Sequence, residues 1–375
     1  MRLSLILPLL AAVLLSGCSG QAGTTPGTTP DGVTPDSATS DNGDAAKPTM
    51  VTHPDNPAEP HLRNVRQITF SGENAEAYWS WAGDKLVFQM RGRNGITADQ
   101  IHLINLDGSN ETMISPGGGK TTCSFFLQGD KEIVFASTHH LGDEPPKPPA
   151  PTPGKYTWPL YDYEIYRANV DGSNLRRITQ NPGYDAEPTV GPDGRIVFTS
   201  GREGDVDIYT MDADGSNVTR LTTTLGYDGG PFFSHDGKLI CYRAKHPTEP
   251  ADVKEFQDLL ASGRVQPTRM DIWVMNADGS DQRQITQLAG ASFAPYFHPD
   301  NKRIIFATNF ENPRGRNFDL YIVNLDGSSL ERITSTPEFD CFPMFSPDGK
   351  QIVFASNRHG HHKGNTNLFI ADWVE

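Results

Sequence analysis

The sequence predicts an all-β fold, a six-bladed β-propeller in which four-stranded antiparallel blades form a closed ring. Three observations support this prediction: a hairpin turn that recurs between short strands, a second turn that recurs upstream of it, and complementary strands left over at the two ends of the repeats. The repeats occupy residues 62–375, which we predict to be the folded domain.

The first recurring turn is Asp-Gly, which suits a two-residue hairpin because both central positions need positive φ. Each copy follows a strand in which apolar residues alternate, and most copies precede a short strand that ends in Ile-Thr or Leu-Thr. This alternation predicts β-strands on both sides of the turn. The copies begin at Leu106, Val170, Ala213, Ala277 and Leu325.

The second recurring turn is Pro-Asp-Gly or a close variant, and an apolar strand follows it at once. A blade therefore reads strand, Pro-Asp-Gly turn, strand, variable loop, strand, Asp-Gly turn and strand. Clear copies of the second turn span residues 191–194, 234–237, 298–301 and 346–349, and degenerate copies span 80–83 and 127–130. Six such turns predict six blades.

The two ends of the repeat region complete each other. The last blade ends at residues 368–371 without a fourth strand, whereas an unassigned strand over residues 66–69 precedes the first blade. We predict that this N-terminal strand completes the last blade, because closing the ring in this way removes an exposed sheet edge.

The repeats resemble those of TolB-like propellers across residues 62–375. The resemblance is carried by Phe-Ser-Pro-Asp-Gly-Lys at residues 345–350 and by Ser356-Asn357-Arg358. It implies the fold more than the function, since such propellers serve scaffolding proteins, peptidases and lyases alike. The resemblance also implies an α/β domain ahead of the propeller, which the residues before 62 do not match, so we do not expect the particular role of TolB.

The first residues resemble a secretory signal peptide. Met1 and Arg2 precede an apolar run that is too short for a permanent transmembrane helix. The tetrapeptide ending at Cys18 looks like a bacterial lipobox, so we predict a signal peptide over residues 1–17 and a lipid anchor at Cys18; an ordinary cleaved signal is the alternative. Ser19 follows the cysteine instead of Asp, which favours the outer membrane, with the domain facing the periplasm or the cell surface.

Residues 18–61 are rich in Thr, Pro, Gly and Ser and contain few large apolar side chains. Such a segment buries too little surface to offset its ordering entropy, so we expect a disordered tether. The formal net charge of −14 argues against nucleic acid and against direct binding to anionic lipid, since either would require a basic face.

Irregular residues concentrate on the rim where loops between the second and third strands lie beside the crossovers between blades. Two interpretations of its charged residues stay open. Each arginine pairs with a neighbouring carboxylate and holds the loops, or the residues line a channel mouth that receives an anionic or peptidic ligand. The candidate rim residues are Asp185, Glu187, Arg202, Asp228, Arg243, His246, Asp340 and Arg358.

Two insertions enlarge this rim, a Pro-rich arm over residues 145–159 in the second blade and residues 246–263 in the fourth. The second insertion predicts a short amphipathic helix over residues 252–262, which Gly263 would end. Its apolar stripe either packs on the propeller or docks a partner. The stripe consists of Val253, Phe256, Leu259 and Leu260.

Loop histidines are the candidate metal ligands, because imidazoles at such spacing could hold Zn or Mn. They are His359, His361 and His362 in the sixth blade and His139 and His140 in the second. Solvated loop histidines are the alternative. The sequence contains no Gly-x-Ser-x-Gly and no His-Glu-x-x-His, which argues against a peptidase. The resemblance of this fold to oligogalacturonate lyases implies a second candidate activity, a metal-assisted lyase or hydrolase acting on an anionic glycan.

We therefore predict a binding or scaffolding lipoprotein rather than an enzyme. It would hold an envelope protein, or a peptidic or anionic ligand, at its loop-rich rim, would contact the membrane only through its lipid, and would act as a monomer without a cofactor. Cys123, Cys241 and Cys341 occupy unrelated positions in their blades, so we expect buried free thiols instead of a disulfide framework.

Overall fold

The computed structural model describes residues 50–360 and 364–375. The predicted signal peptide, the lipid anchor at Cys18, most of the tether, and His361 and His362 lie outside these residues. The described residues contain six antiparallel sheets arranged in a ring, five with four strands and one with five, together with a two-stranded sheet in the loops, which confirms the six-bladed β-propeller.

The strands of each blade follow one another from the axis outward. The two N-terminal strands are β1 (Val51–Thr52) and β2 (Leu62–Gln67). Blade 1 contains β3 (Glu73–Trp79), β4 (Lys85–Arg91), β5 (Gln100–Asn105) and β6 (Thr112–Met113). Blade 2 contains β7 (Thr121–Phe126), β8 (Glu132–Ser137) and, after the short loop strand β9 (Trp158–Pro159), β10 (Glu164–Asn169) and β11 (Arg176–Arg177). Blade 3 contains β12 (Asp185–Val190), β13 (Ile196–Ser200), β14 (Asp207–Met211) and β15 (Thr219–Arg220).

The remaining blades keep the same order, with one helix inserted in blade 4. Blade 4 contains β16 (Tyr227–Phe233), β17 (Leu239–Lys245), then α1 (Pro250–Ala261) and the short strand β18 (Arg264–Val265), then β19 (Asp271–Asn276) and β20 (Arg283–Gln284). Blade 5 contains β21 (Ser292–Phe297), β22 (Arg303–Thr308), β23 (Asp319–Asn324) and β24 (Glu331–Arg332). Blade 6 contains β25 (Asp340–Phe345), β26 (Gln351–Ser356) and β27 (Asn367–Trp373). A 3-10 turn (His139–Leu141) follows β8.

The ring closes as the sequence predicts. Strand β2 pairs antiparallel with β27, with Arg66 opposite Ile370 and Gln67 opposite Phe369. Strand β1 then pairs with β2 and adds a fifth strand to this sheet. The N-terminal segment therefore supplies the outer strand that blade 6 lacks.

Regular structure is present before residue 62, where we predicted the domain to begin, because strand β1 at Val51–Thr52 pairs with β2. The composition of residues 50–61 is typical of a tether, but the carboxylate of Glu59 is buried and receives two hydrogen bonds from Arg358, at 3.0 and 3.2 Å. A contact across most of the chain therefore orders a segment whose local sequence indicates disorder.

The recurring Thr of the sequence, which is Ser115 in blade 1, has the same structural role in every blade. Its hydroxyl accepts a hydrogen bond of 2.8–2.9 Å from the backbone N–H of the second residue in the third strand, and so ties the fourth strand to the third. In blade 6 this acceptor is Thr69, which follows β2. The acceptors are Ser115, Thr179, Thr222, Thr286, Thr334 and Thr69.

The core lies between neighbouring blades, and the second strand of each blade contributes an aromatic residue to it. These six side chains are fully buried, which accounts for the recurring aromatic residue after the Pro-Asp-Gly turn. They are Phe88, Phe135, Phe198, Tyr242, Phe306 and Phe354. Cys123, Cys241 and Cys341 are buried and free, as predicted. Within the described residues, no helix combines the length and the apolar character needed to cross a membrane.

Candidate functional site

All six innermost strands carry a β-bulge at the same level of the channel. The pairing register shifts there, and one residue of each strand adopts a left-handed conformation with φ between +46° and +61°. Bulges of this kind re-aim side chains and are frequent beside functional sites. The bulge residues, in blade order, are Glu76, Cys123, Glu187, Gly230, Ala294 and Phe342.

A polar group of residues, which we call the channel cluster, forms at this level from Glu76, Cys123, Glu187, Tyr227 and Arg243. Glu187 of blade 3 forms an ion pair with Arg243 of blade 4. Its second carboxylate oxygen accepts hydrogen bonds of 2.7 Å from the Thr199 hydroxyl and from the backbone N–H of Gly230. The Arg243 guanidinium also donates to the Tyr227 hydroxyl at 2.7 Å.

Glu76 is the least satisfied member of the channel cluster. Burial raises the pKa of its carboxyl to about 7, and the charge of Glu187 adds to this, whereas a hydrogen bond with Cys123 and the charge of Arg243 lower it. One carboxylate oxygen of Glu76 has no hydrogen-bond partner among the described residues. Glu76 therefore exchanges a proton near neutral pH.

Aromatic rings close the channel beneath this cluster. Tyr78 of blade 1 and Phe232 of blade 4 come from opposite sides of the ring, yet their ring centroids lie 5.8 Å apart. Phe125 lies 5.6 Å from Tyr78, and Tyr296 lies 5.5 Å from Phe232. We call these four rings the plug. The plug separates a polar recess on the loop side of the propeller from an apolar recess on the turn side.

The turn-side recess lies between the Pro-Asp-Gly turns, with the plug as its floor. Apolar and aromatic side chains from all six blades dominate its lining. Burial lowers the pKa of His235 in its wall, so this imidazole is neutral near pH 7. Trp81 and Phe233 are half-buried there and keep apolar surface exposed. The lining includes Trp79, Trp81, Phe125, Val190, Pro192, Phe232, Phe233, His235, Tyr296, Met344 and Pro347.

The two insertions bind each other over the loop-side recess, and we call residues 145–160 and 247–269 together the cap. Strands β9 and β18 pair antiparallel. The buried Arg264 donates to the hydroxyl and the carbonyl oxygen of Thr157, at 2.6 and 2.8 Å, and to the carbonyl oxygen of Pro149 at 2.8 Å. Lys155 forms an ion pair of 2.8 Å with Glu255 of α1.

Trp158 connects the cap to the channel cluster. Its ring lies 5.6 Å from the guanidinium carbon of Arg243, within cation–π distance, and 5.1 Å from the Phe293 ring at the start of blade 5. The arm of blade 2 therefore extends over the channel mouth to blades 4 and 5.

The predicted rim residues occupy two kinds of position. Asp185–Arg202, Asp228–His246 and Asp340–Arg358 each pair within one blade at 2.8 Å, which ties the first strand to the loop after the second. Burial raises the pKa of all three aspartates. These pairs match the interpretation in which charged residues hold the loops. Glu187 and Arg243 instead pair between blades, within the channel cluster.

The predicted helix is present, from Pro250 to Ala261, with proline in the first turn and Gly263 in the left-handed conformation just beyond its end. Leu259 is buried, and Phe256 and Leu260 pack against the core, while Val253 is half-buried. The apolar stripe is thus occupied by contacts within the chain, which favours packing over partner docking.

The described histidines of the predicted metal sites take part in separate contacts. The ring of His139 packs on Tyr166 at 3.9 Å in blade 2, whereas His359 stacks on His53 at 3.9 Å in blade 6. His140 lies with Asp162 and Glu164 in a group whose possible ligand atoms are within 4.8 Å of one another. Glu164, however, already accepts hydrogen bonds from Arg177, Thr179 and Asn181, which occupy its oxygens.

Sequence reasoning missed Glu59, Glu76 and Trp158. Glu59 lies in a segment of tether-like composition, and Glu76 stands in the most degenerate of the six repeats. A carboxylate at the bulge position of an innermost strand, in register with Glu187 two blades later, is a signal that aligning the six repeats could have revealed.

The fold and its channel define a six-bladed β-propeller of the kind built from four-stranded antiparallel blades. A family model described as the TolB beta propeller domain matches residues 161–263 and 260–363. The chain belongs to this TolB β-propeller family.

A curated relative matches a short segment of this chain, and solved structures share its fold. The Tol-Pal system protein TolB of Bordetella pertussis is 56% identical over 43 residues, which cover 11% of this chain and only 10% of that protein. The structure of a putative TolB from Agrobacterium tumefaciens gives a TM-score of 0.54 at 18% identity, covering 81% of this chain and 91% of that chain. An oligogalacturonate lyase from Vibrio parahaemolyticus gives a TM-score of 0.51 at 13% identity, covering 87% and 97%. At these identities, the two structures show the fold alone.

Proposed function

We propose that this protein is a cell-envelope scaffold that holds a protein partner in the turn-side recess. The observation that carries the proposal is the recess itself, an apolar depression at the axis whose floor is the plug. Trp81 and Phe233 leave apolar surface exposed in its wall. Exposed apolar recesses of this kind receive aromatic or aliphatic anchors of a partner, which dominate binding energies.

The recess also lacks the features of a charged-ligand site among its described lining residues. Among its described lining residues the titratable side chains are His235 and Tyr296, and both are neutral near pH 7, because burial lowers the pKa of the imidazole and raises that of the phenol. A partner that inserts an apolar side chain would therefore leave no buried charge unpaired.

The loop-rich rim, where we expected the binding site, is the weaker candidate. Its two insertions bind each other through β9 and β18, and most of its predicted charged residues form pairs within their own blade. A partner at this rim would have to compete with those contacts.

We further propose that Cys18 is lipidated and holds the domain at the envelope, on the outer membrane, through residues 19–49. The lipobox-like sequence and membership of the TolB family support this location.

Photo-crosslinking in cells distinguishes the two faces. A photoreactive amino acid placed at Trp81 or Phe233 should form a discrete covalent adduct with one partner. The same group at Leu141 or Tyr156, exposed residues of the loop-rich rim, should not. Adducts from positions 141 and 156 alone would show that the partner binds the loop-rich rim and would reject the turn-side recess.

The metal-assisted lyase that we considered is less well supported. Arg358, which we expected to contact an anionic substrate, is buried and bonded to both Asp340 and Glu59. His361 and His362 lie outside the described residues. Glu76 could accept a proton near neutral pH, but Arg243, the cation of the channel cluster, is already paired with Glu187 and is not free to bind an anionic glycan.

A further inference from the structure

A second cavity, of about 270 Å³, lies between helix α1 and the end of strand β17. It is separate from the turn-side recess, and residues of the blade 4 insertion form most of its wall. One wall is apolar and consists of Phe256, Leu259 and Val265. The cavity is smaller than those that hold drug-sized ligands, so it suits a molecule with few heavy atoms.

Charges of both signs line this cavity. Lys245, the last residue of β17, and Arg269 provide two cations, whereas Asp252 and Glu255 of α1 provide two carboxylates. Lys245 is half-buried, and burial lowers the pKa of its ammonium group, an effect that Glu255 and Asp252 partly offset. Lys245 and Glu255 are half-buried, whereas Asp252 and Arg269 are exposed, and a half-buried charge is stabilised when a partner of opposite sign reaches it.

Three of these four charges lack such a partner among the described residues. Lys245, Arg269 and Asp252 form no ion pair there, while Glu255 uses one oxygen to bind Lys155 at 2.8 Å and keeps the other free. The four groups therefore line one cavity without forming ion pairs with one another.

Arg269 reaches the cavity from a constrained backbone. Its φ is +56°, a left-handed conformation that is uncommon for residues other than glycine, asparagine and aspartate. Such strain persists where the surrounding structure imposes it, and it occurs often at ligand sites. Here it lies at the end of the cap, two residues before β19 begins.

We propose that this cavity binds a zwitterion of amino-acid size with an apolar side chain. Its carboxylate would contact Lys245 and Arg269, its ammonium group would contact Asp252 and Glu255, and its side chain would lie against Phe256, Leu259 and Val265. Both charges of the ligand are thereby matched by groups of opposite sign.

The cavity also borders the channel cluster. Tyr227 lines its wall, and the hydroxyl of Tyr227 accepts a hydrogen bond of 2.7 Å from Arg243. A bound ligand would therefore contact a residue that positions the Glu187–Arg243 pair.

Calorimetric titration of the full chain in detergent tests the proposal with three probes. L-Leucine should bind, whereas N-acetyl-L-leucine, which lacks the ammonium group, and L-leucine methyl ester, which lacks the carboxylate, should bind at least about tenfold more weakly. Equal binding of either derivative would overturn the zwitterion site. The proposal would also be overturned if titration with leucine produced no heat and titration with a mixture of valine, isoleucine, methionine and phenylalanine produced none either.

Variants locate the site on the protein. Arg269→Gln and Asp252→Asn should each weaken leucine binding by about tenfold while circular dichroism and the thermal midpoint stay unchanged. The matched control is Lys254→Ala, which removes a charge from the exposed Lys254–Asp258 pair of the same helix and should leave leucine affinity unchanged. If all three variants bind leucine with the affinity of the parent, leucine binds elsewhere and this cavity is rejected as its site.

Discussion

The rings of Tyr78 and Phe232 lie 5.8 Å apart although they come from opposite blades. Because blades 1 and 4 face each other across the axis, this contact closes the channel and holds the six innermost strands around a common centre. The two faces of the propeller therefore carry separate recesses, one polar and one apolar.

Removing one ring of the plug should open the channel and destabilise the ring of blades. We expect Phe232→Ala to lower the free energy of unfolding by about 3–5 kcal/mol, because the lost contacts leave a cavity at the axis. Urea denaturation measures this difference. The control Leu330→Ala, at an exposed apolar residue, should change stability by less than about 0.5 kcal/mol. Equal, small effects of the two substitutions would mean that the plug does not support the fold.

Glu59 should contribute to ring closure despite its tether-like surroundings. Its carboxylate is buried and bound to Arg358, so Glu59→Ala should cost about 1–3 kcal/mol, with Asp340 still neutralising part of the arginine's charge. Arg283→Ala, which disrupts an exposed ion pair with Asp281, should cost at most about 1 kcal/mol. If Glu59→Ala behaves like this control in chemical denaturation, the N-terminal segment does not fasten blade 6.

Glu76 should make stability fall as the pH rises. Its pKa is raised from 4.5 to about 7 in the folded protein, so the folded state binds more protons than the unfolded state between these values. The contribution of the protonated Glu76 carboxyl to the free energy of unfolding is fully present below pH 4.5 and is lost as the pH rises through about 7. Glu76→Gln should therefore be more stable than the parent at pH 8, by of the order of 1–3 kcal/mol, with little difference at pH 4.5.

Denaturation of both proteins at several pH values tests this expectation about Glu76. The exposed Glu144→Gln serves as the control and should follow the parent at every pH. If the free energies of unfolding of the parent and of Glu76→Gln change with pH in the same way, the raised pKa of Glu76 is contradicted.

Arg264 should hold the two halves of the cap together. Arg264→Ala removes three hydrogen bonds to Thr157 and Pro149, so residues 145–160 should become accessible to protease and to amide hydrogen exchange. The cost in stability should be about 1–3 kcal/mol. Lys302→Ala, at an exposed position of blade 5, should leave both observables unchanged. Retained protection of the arm in Arg264→Ala would show that other contacts hold it.

Cys18→Ala should release the protein from membranes. We expect the parent to sediment with the membrane fraction and the variant to remain in the supernatant, because the predicted lipid is the only proposed membrane contact. Mass spectrometry of the mature N-terminus provides the direct readout. An unmodified N-terminus at another residue in the parent would reject the lipoprotein assignment.

The six blades could be predicted from the sequence because each depends on local signals. A Pro-Asp-Gly turn at residues 346–349 and an Asp-Gly turn such as the one at Asp171 specify hairpins within about 20 residues of chain, and apolar alternation specifies the strands between them. The closing strand was predicted by counting strands, because the last blade lacked a fourth strand and residues 66–69 formed a strand that belonged to no other blade. The helix followed from the spacing of Phe256 and Leu259.

The candidate sites were only partly predictable. Glu187 and Arg243 stood out as rim charges, but their pairing across two blades, and the presence of Glu76 and Cys123 beside them, depend on six bulges meeting at one level of the channel. The sequence predicted the helix of the blade 4 insertion correctly. It did not show whether the apolar stripe of this helix was free for a partner, because that depends on which side chains of the folded chain pack against it.

The sequence alone determined the number of blades, the order of their strands and the chemistry of the turns, because these depend on residues that are neighbours in the chain. The tertiary structure decided the rest. In the plug, the ring of Tyr78 packs against that of Phe232. In the cap, Thr157 accepts hydrogen bonds from Arg264. At the N-terminus, Glu59 forms an ion pair with Arg358. The two residues of each contact are about 100 or more positions apart in the chain. No local sequence signal links them, and only the folded propeller brings them into contact.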